Sequence, residues 1–287
     1  IFKQLSEAYR KIRNTARIIM ANLGDFDPDT DLVDVKDMYE IDKWILAACN
    51  ELTRTARRAY DDFEFHVIYH DVCNFCTTNL SKLYIDITKD RVYVGKKDGF
   101  ARRSAQSAMY LVLNALTRLI APLLAFTSEE IWQAMPHAGS DVRESVFLNQ
   151  MPSYDEALSF PEITERWNKQ FELRDDVMKA LELARAEKKI GKSLDAKITV
   201  YTENEEIYKL LLGFGAELPT VYIVSGASVV LGKTPDGVFN ETASGIGVKV
   251  EPADGEKCGR CWSYSTEGEH DEEGGFLCAK CKAIIEA

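Results

Sequence analysis

The sequence is short of histidine, of positive charge and of long apolar runs. Only 4 His occur in 287 residues, and none sits in a recognisable acid–base arrangement. There is no Gly-x-Ser-x-Gly, no His-Glu-x-x-His and no Gly-rich phosphate loop. Gly213-Phe214-Gly215 and Gly245-Ile246-Gly247 fit turns better than a nucleotide fingerprint. These absences argue against an enzyme in this chain standing alone. No apolar stretch reaches the ~18 residues that a membrane helix needs. The nearest, Leu119 to Phe126, is broken by Pro122, so no membrane partner is expected. With 35 Lys plus Arg against 46 Asp plus Glu, the formal charge is −11. That excludes a uniformly basic nucleic-acid coat, but not a local basic face on an acidic body. The opening Ile1-Phe2-Lys3-Gln4 has neither an initiator Met nor a signal-peptide pattern, and it reads as a piece of a longer chain.

What is present is ordinary globular composition, 46% apolar and 28% charged, so wholesale disorder is excluded. The first part of the chain carries helical periodicity. One apolar stripe runs Leu5, Tyr9, Ile12, Ala16, Ile19, Leu23, with Gly24 as a stop signal. Asp25 to Asp37 reads as a loop. Further stripes run from Met38 to Ala56, from Ile68 to Ile87 and from Ala105 to Leu119. Short amphipathic helices of this kind favour an up-and-down bundle. Thr127-Ser128-Glu129-Glu130 reads as a capping box, and Ser159-Phe160-Pro161-Glu162 as the start of a long helix that ends at Gly191. Beyond Ser193 the pattern changes. Ala196–Tyr201 alternates as a strand does, Ile207–Phe214 reads as a helix, and Thr220–Val224, Ser228–Leu231 and Gly247–Val250 read as strands. The predicted architecture is mainly α. A helical bundle (1–158) precedes a long helix with a small α/β module (159–250), and a cysteine-rich segment (251–287) ends the chain. That last segment has too little apolar content to bury its own core and needs a staple.

Seven cysteines, an odd number with four bunched at the end, do not read as a secreted disulfide framework. They read as thiols of a cytoplasmic protein. Cys258-Gly259-Arg260-Cys261 is followed after sixteen residues by Cys278-Ala279-Lys280-Cys281. Two Cys-x-x-Cys turns at this spacing suit one tetrahedral Zn2+ held by Cys258, Cys261, Cys278 and Cys281. With all four positions filled by protein, the role is structural rather than catalytic. Unrelated thiols or two disulfides are the plainer alternative. His270 is a spare ligand candidate that more simply sits exposed among Glu269, Asp271, Glu272 and Glu273. His66, His70, Cys73 and Cys76 share a helical face, which a metal suits and which buried thiols explain more simply. Cys49 reads as a core thiol.

Basic residues gather locally. Lys3, Arg10, Arg13 and Arg17 line one side of the first helix, flanked by Lys11 and Asn14, with only Glu7 to offset them. A second cluster holds Lys82, Lys89, Arg91, Lys96, Lys97, Arg102 and Arg103, and a third Arg54, Arg57 and Arg58. Guanidinium groups suit phosphates and unpaired bases; a solvated helix face explains the pattern equally well.

These residues carry a resemblance. Tyr9-Arg10-Lys11-Ile12-Arg13-Asn14-Thr15-Ala16-Arg17, ending in Asn22-Leu23-Gly24-Asp25-Phe26, resembles the opening of the anticodon-binding helical domain of class I aminoacyl-tRNA synthetases. The stretches Asp71 to Tyr93, Ile120 to Trp132 and Leu183 to Ala196 resemble later signatures of the same domain. Cys258-x-x-Cys261-Trp262-x-Tyr264 with Cys278-x-x-Cys281 is similar to the C-terminal zinc finger of bacterial isoleucyl-tRNA synthetases. The resemblance covers nearly the whole chain. It implies a monomeric, cytoplasmic tRNA-binding appendage, partnered by tRNA(Ile) and by the catalytic and editing domains of a parent ligase. ATP would be used only in that catalytic part. Under this resemblance Arg10, Arg13 and Arg17 fall on the anticodon loop, Asn14 becomes an edge reader and Phe26 a stacking candidate, unless Phe26 staples its loop to the bundle. Arg260 and Lys280 would meet phosphate. Trp262 would brace the knuckle or touch RNA. The alternatives are a zinc-ribbon module for protein–protein contact on a helical scaffold, and the equivalent region of a valyl- or leucyl-type relative.

Overall fold

A computed structural model describes residues 2–270 and 274–286, and the chain divides into two compact units, 1–164 and 165–287. In the first unit α1 (Phe2–Asn22), α2 (Glu40–Asp61), α3 (Phe65–Asn74), α4 (Asp86–Tyr93), α5 (Phe100–Ile120) and α6 (Ala125–Ala134) form a helical bundle. The stripes read from periodicity are its core. Ile12, Ala16 and Ile19 of α1 are buried with Ile45 and Leu52 of α2 and with Met109, Val112 and Leu116 of α5. The third stripe is not one α-helix. α3 and α4 are joined without a break by a π-helical segment, Phe75–Ile85. Its wider turn brings Phe75, Cys76, Leu80, Leu83 and Tyr84 inward, where an unbroken 3.6-residue repeat would have rotated some of them away.

Polar cross-links hold the helices in register. Asp42 of α2 is fully buried and accepts from Arg91 Nη2 at 2.6 and 2.7 Å, from Tyr84 Oη at 2.7 Å and from Ser104 Oγ at 2.5 Å. One carboxylate therefore joins α2, the π segment, α4 and α5. Thr15 and Ser81 hydroxyls meet at 3.2 Å beside the Cys76 carbonyl, tying α1 to the π segment. The loop after α1 is fastened in the same way. Arg102 makes two bonds to Asp25, at 2.7 and 2.9 Å, and Arg103 Nη1 lies 3.2 Å from Asp31. The Arg102 guanidinium, against the opposing cost of burial, holds the Asp25 carboxyl down at about 2, with Gln106 and Arg103 adding to it.

α6 departs from the sequence reading. It begins at Ala125 with Leu124 as N-cap, so Thr127 lies inside the helix, its hydroxyl 3.1 Å from Tyr9 Oη. Glu130, the acid of the expected capping box, pairs with Arg13 at 3.1 Å instead, and Glu129 folds onto Ser145 Oγ and the Val146 amide. Among the described residues no helix is long and apolar enough to cross a membrane.

α7 (Pro161–Ala186) begins on Pro161, a favoured first helical residue. It stops well before Gly191, because Lys188 takes the left-handed conformation at φ 60° and the Lys189 amide returns to the Ala184 carbonyl. In the second unit β1 (Ala196–Thr202) is the central strand. β2 (Gly226–Leu231) pairs with it in parallel and β3 (Gly247–Pro252) antiparallel. β1 alternates as read, burying Ala196, Ile198, Val200 and Thr202. α8 (Glu205–Phe214) is capped by Asn204, whose side chain accepts from the Glu206 and Ile207 amides. The segment 220–224, read as a strand, is instead the end of a short helix, α9 (Leu218–Tyr222). Pro219 starts it, Leu218, Val221 and Tyr222 bury one side, and Ile223 at φ 56° stops it.

Two outcomes are expected for the first unit. Asp42→Ala strands a buried guanidinium and should lower stability by about 3–5 kcal/mol, read as a fall in the urea midpoint of helical ellipticity. Asp25 is depressed from 3.8 to about 2 in the folded state. Its share of stability is therefore complete above about pH 4 and lost as pH falls toward 2. Asp25→Asn should remove that share at pH 6 and flatten the stability loss between pH 4 and pH 2.

Candidate metal centre and nucleic-acid interface

The end of the second unit is built from two small hairpins. β4 (Glu256–Lys257) pairs with β5 (Tyr264–Ser265), and β6 (Gly268–His270) with β7 (Phe276–Cys278), which leads into α10 (Ala279–Ile285). The hairpins are crowded. A Cβ on Gly255, which sits at φ 85°, would lie 2.1 Å from the Ser265 carbonyl oxygen, so this turn requires glycine. The first hairpin loop presents Cys258 and Cys261. Cys278 closes β7 and Cys281 lies in the first turn of α10.

The four sulfurs lie within 4.8 Å of one another and all four residues are buried. Cys261 Sγ and Cys278 Sγ are 3.8 Å apart. That is the edge of a tetrahedron whose centre lies about 2.3 Å from each sulfur, the length of a zinc–thiolate bond; a disulfide needs about 2.05 Å. Burial opposes ionisation of Cys258, but backbone N–H groups of Cys261, Cys278 and Arg260 donate to its sulfur and bring the thiol down to about 6. Burial and the neighbouring sulfurs push Cys281 up. Four buried thiolates require a dication to neutralise them, and the donor set fits one Zn2+. The ion would cross-link the two hairpins and supply no open coordination position. His270 is not drawn into this cluster; its ring meets Glu256 at 3.1 Å. Asp271, Glu272 and Glu273 lie outside the described residues. In the first unit His66 and His70 are exposed, while Cys76 and Cys49 are buried with thiols pushed up to about 12.

The RNA-contact candidates form two sets, one in each unit. On α1, Arg10, Asn14 and Arg17 are exposed, opposite the buried Ile12, Ala16 and Ile19. Arg10 Nε reaches the Ser6 carbonyl at 3.3 Å. Arg13 shares this face but is paired with Glu130 at 3.1 Å. Steps of three and four residues confine these four side chains to an arc of about 100°. Phe26 does not join them. It is 5% exposed and packs on Tyr110 with ring centroids 5.8 Å apart. Phe26 is thus a staple for the loop that Arg102 and Arg103 fasten, and its ring is not offered to a base.

The second basic cluster is largely spent inside the bundle, with Arg91 on Asp42, Lys89 on Asp86, and Arg102 and Arg103 on the 25–31 loop. Of the third, Arg57 donates to the Met151 and Pro152 carbonyls. Around the metal cluster, Lys280 is exposed on α10 and Arg260 is half-buried, with Nη1 buried and unpaired among the described residues. Trp262 is 60% exposed and holds a left-handed backbone at φ 66°, an uncommon posture for a bulky residue. The sequence reading did not single out Lys192, whose ammonium lies 5.8 Å from the centre of the Trp262 ring. The run of lysines from 188 to 192 was the signal for it.

Removing the metal should unfold the last segment alone, because metal affinity is its folding energy. Chelation, or Cys278→Ser, should open residues 255–285 to protease while leaving the ellipticity of the first unit in place. A cobalt-substituted sample should show the spectrum of a tetrahedral four-thiolate site, lost in the variant.

Comparison with known proteins assigns a family to the bundle and to the cysteine-rich end. The pattern of the anticodon-binding domain of tRNA ligases matches residues 42–200, and that of a zinc finger found in FPG and IleRS matches residues 255–283. The chain is 45% identical over 285 residues to an isoleucine–tRNA ligase of Syntrophotalea carbinolica, covering 99% of this chain and 30% of the relative. It is 43% identical over 290 residues to that of Caldanaerobacter subterraneus subsp. tengcongensis, covering 100% and 31%. It is also 43% identical over 285 residues to that of Geobacter sulfurreducens, covering 99% and 30%. The chain thus spans about 30% of the length of these curated relatives. With residues 42–200, more than half of the chain, matched, the chain belongs to the family of anticodon-binding domains of tRNA ligases.

Proposed function

We propose that this chain is the tRNA-gripping region of an isoleucine–tRNA ligase that works as a cytoplasmic monomer. It binds the anticodon stem-loop of tRNA(Ile), while the parent joins isoleucine to that tRNA with ATP. The observation that carries the reading is the solvent face of α1. Arg10, Asn14 and Arg17 stand exposed along about 10 Å of helix, and the opposite face is locked into the bundle. A rigid row of guanidinium groups with an amide among them suits a splayed loop. The cations take phosphates and set register, and the amide reads a base edge. The relatives' name supports isoleucine as the amino acid and tRNA as the partner. The region divides into three working parts, the bundle (1–158), the long helix with its α/β module (159–250) and the zinc finger (251–287). Cys258, Cys261, Cys278 and Cys281 are the zinc ligands. Arg260, Trp262 and Lys280 are further RNA contacts grouped around the metal.

Arg13 has a particular place in this reading. Its pairing with Glu130 means that RNA must compete with a carboxylate for it. Arg17 has no such partner among the described residues. Arg17→Ala should weaken tRNA binding and reduce the slope of log K against log salt by about 0.7–0.9. Glu130→Ala should release Arg13 and tighten binding at low salt. Filter binding of the chain to tRNA(Ile) and to an anticodon-swapped transcript checks both. Equal affinity for the two transcripts, with no effect of Arg17→Ala, would refute the proposal.

A further inference from the structure

Three aspartates are followed directly by glycine, at Asp98-Gly99, Asp236-Gly237 and Asp254-Gly255, and no asparagine is. Such a step is chemically exposed, because glycine has no Cβ to shield its amide nitrogen from the aspartate carboxyl carbon. The two atoms close a ring only where the carboxyl is free, the nitrogen is unengaged and the backbone has room to turn. The fold treats the three steps differently.

At Asp98 the carboxylate takes Arg103 Nη2 at 3.0 Å, and the Gly99 amide donates to the Lys96 carbonyl at 3.0 Å as α5 begins. At Asp254 both carboxylate oxygens bind Lys197 Nζ, at 2.9 and 2.7 Å, and Gly255 is wedged against the Ser265 carbonyl. Asp236 has no such restraint. Pro235, Asp236 and Gly237 are all exposed, and Asp236 makes no hydrogen bond or ion pair among the described residues. The Val238 amide, which is the group best placed to bind its carboxylate, donates instead to the Pro235 carbonyl at 3.2 Å. Gly237 sits at φ 78° in the third position of that turn, a place that favours glycine. A Cβ on it would meet nothing within 4 Å. Both residues line an open cleft of about 730 Å³ between α7 and β3, so the carboxyl has space to swing toward the Gly237 nitrogen.

We propose that Asp236-Gly237 is a site of spontaneous covalent modification, where aspartate isomerises to isoaspartate while Asp98 and Asp254 stay intact. The Gly237 amide nitrogen attacks the Asp236 carboxyl carbon. A carbon–nitrogen bond forms, a carbon–oxygen bond breaks, and the hydroxyl leaves with the amide proton as water. Water then adds to the main-chain carbonyl of the cyclic imide and breaks its bond to that nitrogen. The chain now runs through the former side-chain carbon, and the carboxylate stands on the former main chain. One water is lost and one is gained, so no oxidant or other co-reactant is needed. The product has a main chain longer by one carbon, in a turn pinned on both sides. The Thr234 side chain fills the space beside Gly247, and the Phe239 carbonyl accepts from the Val248 amide at 2.8 Å. Lys179 Nζ lies 5.5 Å from the centre of the Phe239 ring. With no slack at either end, the added carbon detaches Phe239 from β3. Neither the zinc site nor the α1 face takes part.

The test holds the full zinc-loaded chain in warm neutral buffer made with heavy-oxygen water. Peptides are then mapped by mass spectrometry with electron-transfer fragmentation, which tells isoaspartate from aspartate. Isoaspartate should accumulate at position 236, carrying one heavy oxygen, with none at 98 or 254. In urea all three steps should react, because the restraints on Asp98 and Asp254 are gone. Asp236→Glu should abolish the product, since the longer side chain closes its ring poorly. Asp236→Asn should hasten it, since ammonia leaves more readily than water in the same ring closure. The modified chain should lose hydrogen-exchange protection at the Val248 amide. Absence of isoaspartate at 236 in the folded chain, or equal accumulation at 98 or 254, would overturn the proposal. Selectivity that persists in urea would overturn its structural basis, and unchanged exchange at Val248 would overturn the detachment of Phe239.

Discussion

The buried carboxylate of Asp42 is the constraint on which the bundle depends. An ionised group removed from water is tolerated only when its oxygens are filled by donors. Here the donors come from the π segment, α4 and α5, so α2 cannot settle unless all three are in register. The consequence reaches α1. It packs on the surface that these helices create and is tied there through Thr15, Ser81 and the Cys76 carbonyl. Its solvent face, with Arg10, Asn14 and Arg17, is aimed by that packing. The hydrophobic stripes bring the helices together, and the polar network selects one way of assembling them.

The second unit solves a similar problem with sulfur. Residues from 255 onward offer few apolar side chains, and the two hairpins are only two or three residues deep. A dication shared by four thiolates replaces the missing core. Cations elsewhere divide into two populations. Arg91, Arg102 and Arg103 are consumed in holding the bundle together, whereas Arg17, Lys188 and Lys192 face solvent without an ion partner among the described residues. An acidic protein can thus keep a few cations for an external anion while its other charges act internally.

Much of this was legible in the sequence where spacing is decisive. The stripes of α1, α2 and α5 follow directly from three- and four-residue steps, and the paired Cys-x-x-Cys turns announced the metal cluster. The sequence was silent where tertiary context decides. Phe75–Ile85 has an α-like composition, and only the packing of Tyr84 and Cys76 reveals the π turn. Thr220–Val224 is β-branched enough to read as a strand, yet Pro219 and the burial of Leu218, Val221 and Tyr222 make it a helix. Charge pattern alone could not tell Arg102, clamped on Asp25, from Arg17, open to water. Nor could it show that Phe26 faces inward. The Lys188–Lys192 run was visible as charge, but its relation to Trp262 depends on contacts between segments about seventy residues apart.

The π segment has one further consequence, for the kinds of sequence change this protein can absorb. Deleting a single residue from Phe75–Ile85 while the wide turns are kept looks harmless locally. Each residue removed in that way, however, rotates everything downstream by roughly a quarter turn around the axis. Arg91 would swing off Asp42, and α5 would lose the partner face that aligns it. A change of length here thus disturbs more of the bundle than the residues it removes, so the eleven-residue span acts as a ruler between α3 and α4.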